Sequence, residues 1–413
     1  MDQIKALDRA DTVNQIEQDD DVPLPCNYFD FVIGTSTGGL IAIMLGRLRM
    51  SVDQCIEQYW KLANKIFVPH KRRFIQHYSR RKIKEAAEEV VKQFCRRHPN
   101  REDCIGDDEL RQSDYAEQGT YVNKTCKVAV VTVREGGHTT GAKAKPADVP
   151  TLYRSYEHIP RPHYRNESNA RQLQHANLSI SEACQCTTAA PTYFKAVKIK
   201  GRSHIDGGVL INNPAHVAWD EAVQMANPTE TNPPTVPKLL VSIGTGRSRK
   251  HSRFGLSSLV LGALKDITDT ETPNRAMETV IQHLPDSKFV RLDVPENPPH
   301  PGKGLANIGM DQCKKKRLST INPNKPNPVN PAEQRDAELR INATEARKGG
   351  YKPKKYRFVT FDKIRDRTAS YCNEESTQRE IQECAQILRD YSIRRRMNNQ
   401  QRWTNFRTHP DDP

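Results

Sequence analysis

Apolar and polar positions along this chain switch between two periods, and the switches mark its elements. Residues 28–33 (YFDFVI) form a short strand-like run, and residues 40–45 (LIAIML) a helix-like one, with Gly34-Thr35-Ser36-Thr37-Gly38-Gly39 between them. Ser51-Val52-Asp53-Gln54 has the form of a capping box, and Val52, Ile56, Tyr59, Trp60, Ala63 and Phe67 then recur at helical spacing as a core-facing stripe. Residues 84–94 predict another helix, and residues 96–119, charged and poor in apolar groups, a loop near the site entrance. Residues 127–133 and 238–243 are continuous in apolar and β-branched side chains, the pattern of buried parallel strands, while residues 193–199 alternate. Strands alternating with helices predict an α/β fold, a three-layer α/β/α sandwich with a mainly parallel central sheet. Four segments follow: a polar stretch 1–25, a main domain 26–294, a Pro/Asn-rich basic linker 295–340, and a charged helical tail 341–413. In that tail Ile381, Cys384, Ile387 and Leu388 share a face that docks back on the domain, with Trp403 late in the segment.

The strand-to-helix junction carries chemistry. A serine hydroxyl becomes a useful nucleophile when a sharp turn pushes Oγ out of the packed backbone toward a base and a carbonyl carbon. Gly-Thr-Ser-Thr-Gly between strand and helix is such an elbow and names Ser36, with Thr35 and Thr37 as its neighbours. Gly34 and Gly38 are expected where a Cβ would collide with the adjoining strand or helix, so Gly38→Val is expected to harm folding and activity together. The following helix directs its free N–H groups at the site. Downstream, the strand-like run at 193–199 returns through residues 201–205 to Asp206-Gly207-Gly208, then Asn212-Asn213-Pro214. An aspartate followed by two glycines can approach another backbone and accept a hydroxyl proton directly; as an isolated motif it equally describes a hairpin turn.

The elbow, residues 183–194 (ACQCTTAAPTYF), the Asp-Gly-Gly turn with Asn-Asn-Pro, and residues 239–246 (LLVSIGTG) together resemble the patatin-like phospholipases in order and spacing, the fungal branch most nearly. That resemblance implies a Ser-Asp dyad: Ser36 attacks an acyl carbonyl, Asp206 takes its proton, Gly207 and Gly208 shape the acid's turn, and no metal or cofactor is needed. A Ser-His-Asp hydrolase would require a histidine after the acid; His216, His251, His283 and His300 are present, none in a glycine-flanked loop. The family supplies oxyanion donors from a glycine-rich loop that follows its first strand and precedes the elbow. The chain has no glycine before Gly34, so that strand and loop are expected to be absent, with an in-frame start upstream of Met1 as their expected source. The Thr37 N–H is the donor that remains, with Gly136-Gly137 as a substitute. The expected function is hydrolysis of ester bonds in phospholipid or other acyl lipids. The alternative is an impaired relative that binds lipid surfaces or regulates.

Charge adds a surface. The 413 residues carry 64 Lys and Arg against 50 Asp and Glu, a net +14, which favours a polyanionic partner. Residues 70–84 (HKRRFIQHYSRRKIK) place basic groups around Phe74, Ile75 and Tyr78, suited to peripheral contact with an anionic membrane, aromatics at the interface. No nucleic-acid-binding module accompanies the charge. Ten irregularly spaced cysteines form no disulfide framework, and neither Cys184-Gln185-Cys186 nor Cys95 with Cys104 has a partner set for zinc in the sequence. With no leader-like or spanning run, the expected location is cytoplasmic, peripheral to membranes.

Overall fold

Residues 127–134 (KVAVVTVR) are the spine of the fold: Val128 to Val131, Thr132 and Val133 have no exposed surface, so the strand is covered on both faces. The structure is a computed structural model that describes residues 1–10, 24–66, 78–95, 103–111, 126–136, 149–157, 178–191, 193–227, 233–246, 271–295, 315–317 and 356–398. In chain order the elements are α1 (Asp2–Ala10), β1 (Phe31–Thr35), α2 (Thr37–Ala42, continued by a π-type turn, Ile43–Arg47), α3 (Val52–Ile66), α4 (Arg80–Phe94), β2 (Lys127–Arg134), β3 (Val149–Arg154), α5 (Ile180–Thr187), β4 (Val197–Ile199), β5 (Arg202–Asp206), α6 (Ala215–Ala226), β6 (Leu239–Ile243), α7 (Glu271–Ile281), β7 (Lys288–Leu292), β8 (Lys315–Arg317), β9 (Tyr356–Phe358), α8 (Val359–Cys372) and α9 (Glu375–Asn398).

The register around β2 decides where the site forms. β1 runs parallel to β2, with Phe31 opposite Lys127 and Thr35 opposite Val131. β3 lies antiparallel along residues 129–134 of β2, and β5 pairs antiparallel with residues 132–134, Asp206 opposite Thr132. A strand has two edges; β3 occupies one, so β1 and β5 share the other, end to end. Their C-terminal ends therefore converge between Val131 and Thr132. β4 extends this sheet antiparallel to β5, and β6 and β7 form a separate parallel pair.

Helices cover both faces, giving the three layers of an α/β/α sandwich. On one face Val128 and Val130 join Leu40, Ile43, Met44, Ile83, Val91 and Cys184 in one buried cluster supplied by α2, α4 and α5. On the other, Arg154 makes two hydrogen bonds to Glu221 of α6, at 2.8 and 2.6 Å, and Tyr156 donates to the same carboxylate at 2.6 Å. A second cluster joins α6, α7, β6 and β7 through Trp219, Met277, Ile281, Leu240 and Phe289.

Several sequence expectations shift here. The Ser51–Gln54 capping box forms, Gln54 N donating to Ser51 Oγ and Ser51 N to Gln54 Oε1. Yet α3 turns Cys55, Gln58, Leu62, Ala63 and Ile66 inward, leaving Val52 and Ile56 40% and 50% exposed. A stripe one position away wins because Leu62 and Ile66 reach the core of α2 and α4. Phe67 lies outside the described residues. β6 is half-buried rather than buried, because among the described residues it pairs only with β7, as β1 pairs only with β2. A groove of about 760 Å³ is lined by Phe31 of β1, Leu239 and Leu240 of β6, Trp219 and Ala222 of α6, and Leu388 of α9. α9 does pack on the main unit: Cys384 and Ala385 are buried, and Arg395 grips Asp30 with bonds of 2.7 and 2.6 Å. Tyr78 is no interfacial aromatic; it is buried and stacks on Tyr193, while Arg80 bonds the Ala196 carbonyl and Arg81 and Lys84 pair with Glu85 and Glu88. Residues 70–77 lie outside the described residues. No helix among the described residues is long and apolar enough to cross a membrane.

The chain divides into two compact units: residues 1–244 with 250–292 and 375–413, and residues 245–249 with 293–374. The second contains the antiparallel β8–β9 ladder, helix α8, and a bond from the Gly246 N–H to Asp293 Oδ1 at 2.7 Å.

Replacing Glu221 by Leu leaves the Arg154 guanidinium, 10% exposed, without its carboxylate. A loss of about 3–5 kcal/mol is expected, read as a lower urea midpoint with an unchanged slope.

Candidate active site

At the C-terminal end of β1 the chain turns through Ser36 with φ 57° and ψ −128°, a conformation strained for a residue with a side chain. The turn is held from three sides. The Ser36 N–H donates to Thr187 Oγ1 at 3.0 Å, and the Thr187 hydroxyl donates to the Val131 carbonyl at 2.7 Å, so α5 ties the elbow to β2. Behind the serine, a Cβ on Gly34 would lie 2.1 Å from the Gly38 carbonyl oxygen, a backbone collision that cannot relax. Gly38 differs from expectation: a Cβ there meets nothing within 4 Å, whereas one on Gly39 would strike Thr187 at 2.8 Å. The tight contact is between the strand and the first helical turn, and Gly38 takes part through its backbone alone.

Asp206 arrives from the opposite direction on β5. Its N–H donates to the Ala189 carbonyl, and the Gly208 N–H donates to Oδ1 at 2.7 Å, fixing the carboxylate plane. The other oxygen, Oδ2, accepts the Ser36 hydroxyl at 2.6 Å, across 170 residues of sequence. Gly207 lets this turn approach β2, since a Cβ there would sit 2.5 Å from the Val131 carbonyl oxygen. Burial pushes the Asp206 carboxyl up to about 6, against the lowering effect of the bonds from Ser36 and Gly208. A group with that value is ionised at neutral pH yet basic enough to take a proton. Such a pair can do acyl-transfer chemistry.

Among the described residues no histidine bonds Ser36. His216 is exposed on α6, His283 neighbours Gln282, and His251 and His300 lie outside the described residues. His204, two residues before Asp206, is fully buried with its Nε2 3.0 Å from the Tyr153 hydroxyl, and burial lowers it to about 4. Burial also raises the Cys184 thiol to about 12, so it presents no thiolate. Gly137 lies outside the described residues. Thr187 and Thr132 are site-building residues that motif reading did not single out. Thr187 lies inside the quoted stretch ACQCTTAAPTYF, but only the fold shows which of its side chains bonds the elbow.

Gly34→Ala is expected to give insoluble or strongly destabilised protein, whereas Gly38→Ala should fold with a thermal midpoint near that of the parent. Thr187→Val, which leaves the Ser36 N–H without its acceptor, should cost about 1–3 kcal/mol in chemical denaturation.

Residues 22–219 match the family model described as Patatin-like phospholipase. Among similar proteins, calcium-independent phospholipase A2-gamma of Mus musculus is 27% identical over 300 residues, covering 71% of this chain and 33% of that protein. Phospholipase A I of Arabidopsis thaliana is 25% identical over 341 residues, covering 70% of this chain and 24% of that protein. Patatin-like protein 2 of Arabidopsis thaliana is 28% identical over 271 residues, covering 60% of this chain and 58% of that protein. The chain thus matches about a third or less of the length of the first two of these and somewhat over half of the third. The family match begins ahead of the elbow, takes in the Asp206 turn and ends within α6, so the part of the chain that builds the elbow and the acid's turn is similar to the patatin-like phospholipases.

Proposed function

We propose that this protein is a serine acyl hydrolase that cleaves ester bonds of membrane phospholipids or related acyl lipids, with Ser36 as nucleophile and Asp206 as general base. The observation that carries this reading is the 2.6 Å hydrogen bond from the Ser36 hydroxyl to Asp206 Oδ2 at a strained elbow. Ser36 Oγ attacks the ester carbonyl carbon as its proton passes to Oδ2. The tetrahedral intermediate collapses, the leaving alcohol takes that proton, and Asp206 then deprotonates the water that releases the fatty acid. The Ser36 N–H is engaged by Thr187, so the Thr37 N–H at the start of α2 is the elbow's own oxyanion donor. Each such donor is worth about 3 kcal/mol of barrier. The lipid class comes from the relatives' names, and "calcium-independent" agrees with a dyad that works without a metal. The excess of basic residues favours anionic membrane surfaces.

Ser36→Ala and Asp206→Asn should each lower turnover of a short-chain nitrophenyl ester by on the order of a thousandfold or more, and the double variant should be scarcely worse than either. Additive losses, or fluorophosphonate labelling of another serine, would end the assignment. An inert parent chain that still sediments with phospholipid vesicles would establish the lipid-binding alternative.

The base must be ionised, so kcat/KM should rise with pH through an apparent pKa of about 6 and level off above it. Stability runs the other way. As pH rises, the unfolded chain loses the Asp206 proton near the ordinary 3.8 and the folded chain only near 6, so stability falls across that window. Asp206→Asn should therefore be more stable than the parent above pH 6, by on the order of 3 kcal/mol, in denaturation at several pH values.

A further inference from the structure

Cys95, Cys104 and Asp108 converge although they lie nine and four positions apart in turn, and the sequence alone leaves the two cysteines without a third ligand. All three are buried, and one donor atom from each lies within 4.8 Å of the others. Cys95 Sγ is 2.9 Å from Asp108 Oδ2. Neither cysteine is held in a disulfide.

The scaffold around them is firm. Cys95 ends α4, its N–H donating to the Val91 carbonyl. The 103–111 segment is pinned beside it: the Ile180 N–H donates to the Asp108 carbonyl, the Leu110 N–H to Leu178, and Arg47 donates to the carbonyls of Glu109 and Leu110. Gly106, at φ +86°, lets this segment pass so close to α4 that a Cβ would lie 2.6 Å from the Glu88 carbonyl oxygen. Two elements are thus locked so that two soft sulfurs and one hard oxygen face a common point.

We infer that Cys95, Cys104 and Asp108 bind a zinc ion that clips the C-terminal end of α4 to the 103–111 segment. Two thiolates with a carboxylate suit Zn²⁺ over Mg²⁺ or Ca²⁺, which prefer all-oxygen shells. Small shifts of these side chains bring the donors to about 2.3 Å for Zn–S and about 2.0–2.2 Å for Zn–O, with water completing a tetrahedron. The two thiols release their protons to solvent on binding, and no electron is transferred. The clip lies far along the sequence from Ser36, but the segment it fixes also holds the start of α5, the helix whose Thr187 supports the elbow. The site is therefore structural, and it stands whether or not the chain hydrolyses lipids.

The test uses the full chain, purified under reducing conditions in micromolar zinc and dialysed against metal-free buffer. Atomic emission should find one zinc per chain in the parent and in Cys372→Ser, and less than a tenth of that in Cys95→Ser and Cys104→Ser. Cobalt added to chelator-treated parent should give thiolate-to-cobalt charge-transfer absorption and tetrahedral d–d bands, a readout that needs no variant to fold. Chelator should lower the thermal midpoint of the parent and leave that of Cys104→Ser unmoved. A parent chain that is folded by circular dichroism, yet retains no zinc and shows no cobalt–thiolate absorption, would overturn the inference. So would mass mapping of a Cys95–Cys104 disulfide under the same reducing conditions.

Discussion

One edge of a single buried strand organises this protein. Because β3 takes one side of β2, β1 and β5 must share the other, and they run toward each other. The meeting point, between Val131 and Thr132, is where two chain ends need room and hydrogen bonds at once. Gly207 supplies the room against the Val131 carbonyl, while Gly34 does so within the elbow. Thr187 supplies the bonds by bridging the Ser36 N–H and the Val131 carbonyl. Loss of this edge-sharing would separate the serine from the aspartate however well each local motif formed.

The same junction concentrates unfavourable free energy. Ser36 holds a positive φ, and Asp206 is a carboxylate taken out of water whose oxygens accept two hydrogen bonds from the described residues, from the Ser36 hydroxyl and the Gly208 N–H. Neither feature would persist without the dense packing around β2, whose apolar side chains lose nearly all contact with water. Raised basicity at Asp206 and lowered stability above its titration are therefore one physical fact seen twice. The arrangement is of the kind in which a fold sacrifices stability for chemistry.

Away from the junction the architecture is less closed. β1 and β6 each leave one edge without a strand partner among the described residues, and the groove beside them is lined by residues of α6 and α9. Unpaired strand edges invite pairing or aggregation. Here α9 partly covers them, fixed by Arg395 on Asp30 and by its buried Cys384 and Ala385. That placement gives the charged C-terminal helix a packing role its polar composition does not advertise.

The features legible from residue order are local: an α/β alternation, a capping box at Ser51, an elbow at Ser36, and an acid on a glycine turn at Asp206. Each depends on interactions within a few residues, which short-range periodicity and turn chemistry encode. The inward face of α3, the open space at Gly38, the burial of Tyr78 and the role of Thr187 were decided elsewhere, by neighbours dozens or hundreds of residues away. Cys95, Cys104 and Asp108 likewise acquire a common point only when α4 and the 103–111 segment dock. The 2.6 Å separation of Ser36 and Asp206 belongs to this second class. Register along β2 set it, and register is a property of paired strands that no single segment of sequence contains.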